Sequence, residues 1–153
     1  MKLVKTTQKG KVIKHAILVC FATASAVLSL CSLSFANTRE ETKCRVAVKV
    51  DDDASTSIYC RIASSQYLEA AENASTKNFR THYTYRSAVY LYVTANADRI
   101  LSIQMNDDLK YRGKSVEDLK SAESLFNDCK PNVDCIRESN NVHKLLADWE
   151  SGK

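Results

Sequence analysis

Residues 79–94, FRTHYTYRSAVYLYVT, decide how this chain reads. Aromatic and β-branched side chains are dense here, and they alternate. Val89, Leu91 and Val93 fall on one side, with Tyr90 and Tyr92 on the other. A period of two with this composition predicts a half-buried strand. Working outward gives three strands, Phe79–Tyr85, Ala88–Thr94 and Arg99–Met105, the last with Leu101, Ile103 and Met105 on a shared face. Ala95-Asn96-Ala97-Asp98 has the length of a hairpin loop, and Asn and Asp tolerate its backbone angles.

Upstream, Cys44–Val50 alternates as well, and Ala54–Ile62 does so more loosely, with Asp51-Asp52-Asp53 between them. Folding the chain about Asp52 places Cys44 opposite Cys60, Val46 opposite Ile58 and Val48 opposite Thr56. Directly opposed residues in such a ladder hold their Cβ atoms ~4.5–5.5 Å apart, near disulfide distance. The expectation is a hairpin closed by Cys44–Cys60. Ser64–Ala74 is rich in helix formers and predicts a short helix.

Downstream, Gly113 predicts a backbone position with positive φ. A helix is expected from Ser115, with Val116, Leu119, Ala122, Leu125 and Phe126 at helical spacing. Cys129-Lys130-Pro131 stops it. A second helix starts near Asn132 or Asp134 and carries Cys135, Val142, Leu145, Leu146 and Trp149 as one stripe. A Cys129–Cys135 bond would staple the corner between the two. The fold expected from these readings is α+β: a small antiparallel sheet of about five strands, one short helix, a C-terminal αα-hairpin and two disulfides.

The first 36 residues read differently. A basic segment with Lys2, Lys5, Lys9, Lys11 and Lys14 precedes an apolar run ending in Ser34-Phe35-Ala36. Small residues at −3 and −1 fit signal-peptidase cleavage before Asn37. The organisation expected is a secretory leader, 1–36, and a single exported domain, 37–153. Val19 and Leu30 precede the leader cysteines, where a lipobox needs a small residue. No transmembrane anchor is expected after cleavage, and the mature protein is expected to be periplasmic or secreted.

The whole chain has 22 Lys+Arg against 18 Asp+Glu. Setting the leader lysines aside leaves 17 basic residues against all 18 acidic ones. A near-neutral domain argues against nucleic-acid binding, which needs a basic face. Four cysteines remain, Cys44, Cys60, Cys129 and Cys135. An even number in a small exported domain reads as a disulfide framework. No Cys-x-x-Cys pair is present, and His82 and His143 are the remaining imidazoles, so neither a metal site nor a cofactor is expected. A serine hydrolase would need a base near an exposed serine, and there is no Gly-x-Ser-x-Gly. The acids cluster in expected turns, where water keeps them ionised, which does not suit glycoside chemistry.

The tyrosines are the compositional oddity: Tyr83, Tyr85, Tyr90 and Tyr92 crowd a short stretch. On adjacent strands they would share the face opposite Val89, Leu91 and Val93, with His82 and Arg86 at its edge. Aromatic residues with arginine make up the centres of protein interfaces. His82, Tyr83, Tyr85, Arg86, Tyr90 and Tyr92 are therefore the candidate partner-binding residues, and a core role for the rings is the competing reading. The function expected is a non-enzymatic exported binding protein of the bacterial envelope, an inhibitor or immunity protein for an envelope-degrading enzyme, with another protein as partner. An accessory subunit of a secretion or pilus assembly is the alternative, and a small exported enzyme comes third.

Overall fold

The computed structural model describes residues 39–106 and 108–151. The expected leader, 1–36, lies outside the described residues. Among those described, the chain forms five helices: α1 Arg39–Lys49, α2 Asp53–Glu72, α3 Lys77–Gln104, α4 Leu109–Asp128 and α5 Val133–Glu150. There is no strand among them.

Short polar side chains start the helices. Asp52 accepts from Ser55 N at 3.0 Å, Thr76 from Phe79 N at 3.3 Å, Asp108 from Lys110 N at 2.8 Å and Asn132 from Asp134 N at 2.9 Å. Each satisfies an amide that has no partner inside its own helix. Two connections turn on left-handed residues, Asp51 at φ 58° and Asn106 at φ 59°, both residue types that tolerate this region. Lys130–Pro131 in the last connection is a cis peptide. Connections this short fold each helix back on the one before, so α1 packs on α2, α2 on α3, α3 on α4 and α4 on α5.

Helix α3 is the axis of the bundle. Six consecutive residues, Val93 to Asp98, are all buried. Six residues sweep well past one full turn of a helix, so this stretch is enclosed on every side. Small residues let the neighbours approach closely. At the α2–α3 crossing, Ser64 Oγ donates to the Ser87 carbonyl and Ser87 Oγ to the Ser64 carbonyl, each at 3.0 Å, with the hydroxyls 2.9 Å apart. On the opposite side of α3, Leu119, Ala122 and Phe126 of α4 and Val142, Leu146 and Trp149 of α5 close the apolar core over Ala88, Val89 and Ala95. Burying each large side chain there contributes ~1.5–3 kcal/mol.

The expected sheet is overturned, segment by segment. All of Cys44–Val50 but its last residue belongs to α1, where Glu41, Cys44 and Ala47 are buried at helical spacing, while Val46 and the following Val50 are exposed. Ala54–Ile62 and the short helix expected at Ser64–Ala74 are one helix, α2. Phe79–Tyr85, Ala88–Thr94 and most of Arg99–Met105 are successive stretches of α3, and the expected hairpin loop Ala95-Asn96-Ala97-Asp98 is buried in the middle of it. Gly113 lies inside α4 without positive φ, and the helix begins at Leu109, earlier than Ser115. The C-terminal hairpin, its Asn132 start and both of its stripes are found as expected, with Val116, Leu125 and Leu145 half-buried at the margins.

Both disulfides pair as the spacing suggested, Cys44–Cys60 and Cys129–Cys135. The reason for the first pair differs. A corner between two helices brings Cys44 and Cys60 together, with Cα atoms 4.8 Å apart. A mirror fold about Asp52 joins the same residues whether the arms are strands or helices.

Candidate functional site

Three places hold charged or polar groups that a function could use. The first is inside the bundle, where α1, α2 and α3 meet. Glu41 is fully buried and accepts hydrogen bonds from the Tyr67 hydroxyl, the Arg86 guanidinium and the Tyr90 hydroxyl, the last at 2.8 Å. Arg86 Nη2 also lies 3.2 Å from the Tyr67 oxygen and 3.3 Å from the Tyr90 oxygen. The guanidinium sits over both rings, 5.0 Å from the centroid of Tyr67 and 5.7 Å from that of Tyr90, and the rings stack 5.7 Å apart. Burial disfavours the phenolates, and both tyrosines are pushed above their ordinary range. For Arg86, burial works against ionisation, but Tyr90, Glu41 and Tyr67 outweigh it and hold the charge. Arg86 supplies the counter-charge, and the two tyrosine hydroxyls occupy further lone pairs of the carboxylate. That satisfies the condition under which a buried pair is tolerated.

The second place is where α2, α3 and α4 meet. Arg61 reaches Asp98, fully buried on α3, at 2.7 Å, and also Asp118 on α4. Ser57 donates to Asp98 at 2.6 Å. Two carboxylates share one guanidinium. Asp118 bears the consequence: burial, opposed by Arg61 and assisted by Asp98, leaves its carboxyl raised to about 6.

The third place is an open groove of about 730 Å³ at one end of the bundle. It lies between the C-terminal ends of α2 and α4 and the N-terminal end of α3. Leu68, Ala71 and Leu125 form apolar parts of its wall. Glu72, Lys77, Arg80, Asp128 and Lys130 project into the same space, and among the described residues none of these five forms an ion pair.

The six candidate partner-binding residues do not come together on one surface. Helical geometry separates them. Tyr83, Arg86 and Tyr90 lie on the side of α3 that meets α2, where Tyr83 is 6.1 Å from Tyr67. Tyr85 lies on the other side, edge-on to Phe126 at 5.9 Å, and Tyr92 packs against the same α4–α5 core. His82 is half-buried and 5.7 Å from the Tyr83 ring. Its imidazole is held below its ordinary value, first by burial and then by the Arg86 charge. Arg86 and Tyr90 are buried. His143 is exposed on α5 and meets Glu123 at 2.9 Å.

The Glu41 centre had a trace in the sequence. Glu41, Cys44 and Ala47 keep an i, i+3, i+6 rhythm, and Arg86 and Tyr90 an i, i+4 rhythm. The spacing identifies faces, not which faces meet. Among the described residues, no group of three His, Cys, Asp or Glu side chains is placed to hold a metal ion, and no helix is long and apolar enough to cross a membrane. No family model, curated protein or solved structure matches this chain.

Proposed function

We propose that the protein is a non-enzymatic, exported binding protein of the bacterial envelope, periplasmic or secreted, that covers an envelope-degrading enzyme as its inhibitor or immunity protein. The observation that carries this reading is the groove. Its five unpaired charged side chains stand on the ends of α2, α3 and α4 and beside the Cys129–Cys135 corner, so they are displayed from a cross-linked frame. Charged groups held this way favour specificity and fast association with a partner of complementary charge. By contrast, the internal ionisable groups Glu41, Arg86, Arg61 and Asp98 are engaged with one another. Two disulfides in a chain of this size suit an oxidising compartment.

The test is affinity purification of tagged Asn37–Lys153 from envelope extract of its source, beside a Lys77→Glu/Arg80→Glu/Lys130→Glu variant. One soluble envelope-degrading enzyme retained by the parent and lost by the variant is the expected result. Equal retention by both would remove the groove from the reading. Recovery of secretion or pilus components instead would favour an accessory subunit.

A further inference from the structure

We propose that α1 is a redox-gated strap, and that its release uncovers a preformed receptor for a carboxylate group. The inference rests on how little of α1 is buried and on what it covers. Of its 11 residues only Glu41, Cys44 and Ala47 are buried, a single narrow stripe. Val46 is 56 % exposed, and Val50, just past the end of α1, 65 %. A helix this short is marginal in water without tertiary support. It joins α2 through a short connection that turns on a left-handed non-glycine residue, Asp51.

The Cys44–Cys60 bond and the Glu41 carboxylate hold α1 down, with Lys43 over the Tyr59 ring at 4.8 Å and the buried Ala47 beside them. Three groups of α2 and α3 receive Glu41: the Tyr67 hydroxyl, the Arg86 guanidinium and the Tyr90 hydroxyl. The two stacked rings keep the guanidinium in place independently of Glu41, through its position over both of them. The receptor is thus built by the rest of the bundle, and Glu41 acts as its resident ligand. Lifting α1 returns both Glu41 and Arg86 to water. Rehydration of both ions on opening offsets most of the attraction lost, so the net resistance from the pairing is small. The covalent bond is what keeps the strap closed.

Release follows thiol–disulfide exchange with a dithiol. One thiolate of the dithiol attacks a sulfur of the Cys44–Cys60 bond, which breaks and frees the other cysteine as a thiolate that takes up a proton. The second thiol of the dithiol then displaces the remaining cysteine and leaves as a cyclic disulfide. Two electrons and two protons pass to Cys44 and Cys60. Both cysteines are fully buried, so attack waits on fraying of α1.

Hydrogen exchange of the full chain tests the strap, with and without dithiothreitol, and again in a Cys44→Ser/Cys60→Ser variant that keeps the second disulfide. Amides of 41–49 should exchange roughly 100-fold faster once the bond is gone, the loop-closure contribution of a ring this size written as an equilibrium constant, while those of 84–98 keep their protection. Unchanged protection of 41–49 in both the reduced chain and the variant would overturn the strap. For the receptor, the probe is a fluorescent peptide of residues 39–49 with Cys44→Ser. It should bind the opened chain and not the oxidised one, and its Glu41→Gln counterpart should bind at least tenfold more weakly. Equal binding of the two peptides, or no binding to a chain whose α1 is released, would overturn the carboxylate receptor.

Discussion

Replacing Asp118 by asparagine should stabilise the protein at neutral pH and leave it nearly unchanged in mild acid. Asp118 and Asp98 compete for the single guanidinium of Arg61, and Asp98 has the stronger hold, since Ser57 also donates to it. The Asp118 carboxyl is raised from 3.8 to about 6. A carboxyl with a raised folded-state pKa binds its proton more tightly in the native chain than in the unfolded one. Its contribution therefore declines as pH rises from about 4 to about 6, and stays at its least favourable value above that. Two pK units correspond to an upper bound of ~3 kcal/mol. Arg61 is one-third exposed, so water screens the site and ~1–2 kcal/mol is the reasonable expectation. Asparagine keeps the shape and still presents an oxygen to Arg61, but carries no charge to desolvate.

The assay is urea unfolding of parent and Asp118→Asn between pH 4 and 8. The stability difference should rise by ~1–2 kcal/mol across the window from pH 4 to 6 and then level off. Taking the difference matters because His82 acts in the other direction. Its depressed imidazole contributes stability above about pH 6.5 that is lost as pH falls, so the parent curve alone mixes the two. A difference that does not vary with pH, or an Asp118→Asn protein less stable at pH 7.5 than at pH 4.5 relative to the parent, would refute the assignment of the charge conflict to this cluster.

Arg86→Met should cost ~3–5 kcal/mol by leaving the buried Glu41 carboxylate without its counter-ion, and Glu41→Leu/Arg86→Met should cost clearly less than the two single changes summed; chemical unfolding of all four proteins closes the cycle. Ser87→Leu forces a side chain between backbones held by the reciprocal Ser64–Ser87 bonds and should lower stability by at least ~1–3 kcal/mol, read from the same unfolding curves. Phe126→Ala should cost ~3–5 kcal/mol as a core truncation, seen as a lowered thermal midpoint. Ile58→Glu, on an exposed face of α2, should change stability by less than about 0.5 kcal/mol by thermal unfolding, whereas the same change on a buried strand face would be severe.

The contrast between the two halves of the chain explains what the sequence revealed. Helices α4 and α5 lie at one side of the bundle, so Leu119, Ala122 and Phe126, and Val142, Leu146 and Trp149, form one-sided stripes that spacing alone detects. Helix α3 is enclosed. Where Val93 through Asp98 are all buried, no polar side exists to mark a 3.6-residue rhythm, and the β-branched and aromatic residues left an accidental alternation of Val89, Leu91 and Val93 against Tyr90 and Tyr92. Tertiary burial overrode a local preference for strand. In and just after α1, seven residues from Cys44 to Val50 are too few to separate a period of two from one of 3.6, and Val46 and Val50 point outward. The scarcity of Gly and Pro, only three and one in the chain, accords with the long helices but does not by itself distinguish them from strands. The cysteine pairs were legible because proximity along the chain survives a change of secondary structure. The Glu41–Arg86 centre was not, because it joins residues 45 positions apart whose meeting depends on the bundle being right.

The two covalent bonds each bridge a single corner, spanning 16 and 6 residues. Neither ties distant parts of the chain together, and each helix rests on the next in sequence. A chain of this kind released amino end first can therefore complete its first corner before its last helices are free. Short rings close at the least entropic cost, so neighbouring cysteines meet before any wrong partner arrives. Assembly can proceed in the order of synthesis, one helix laid on the last.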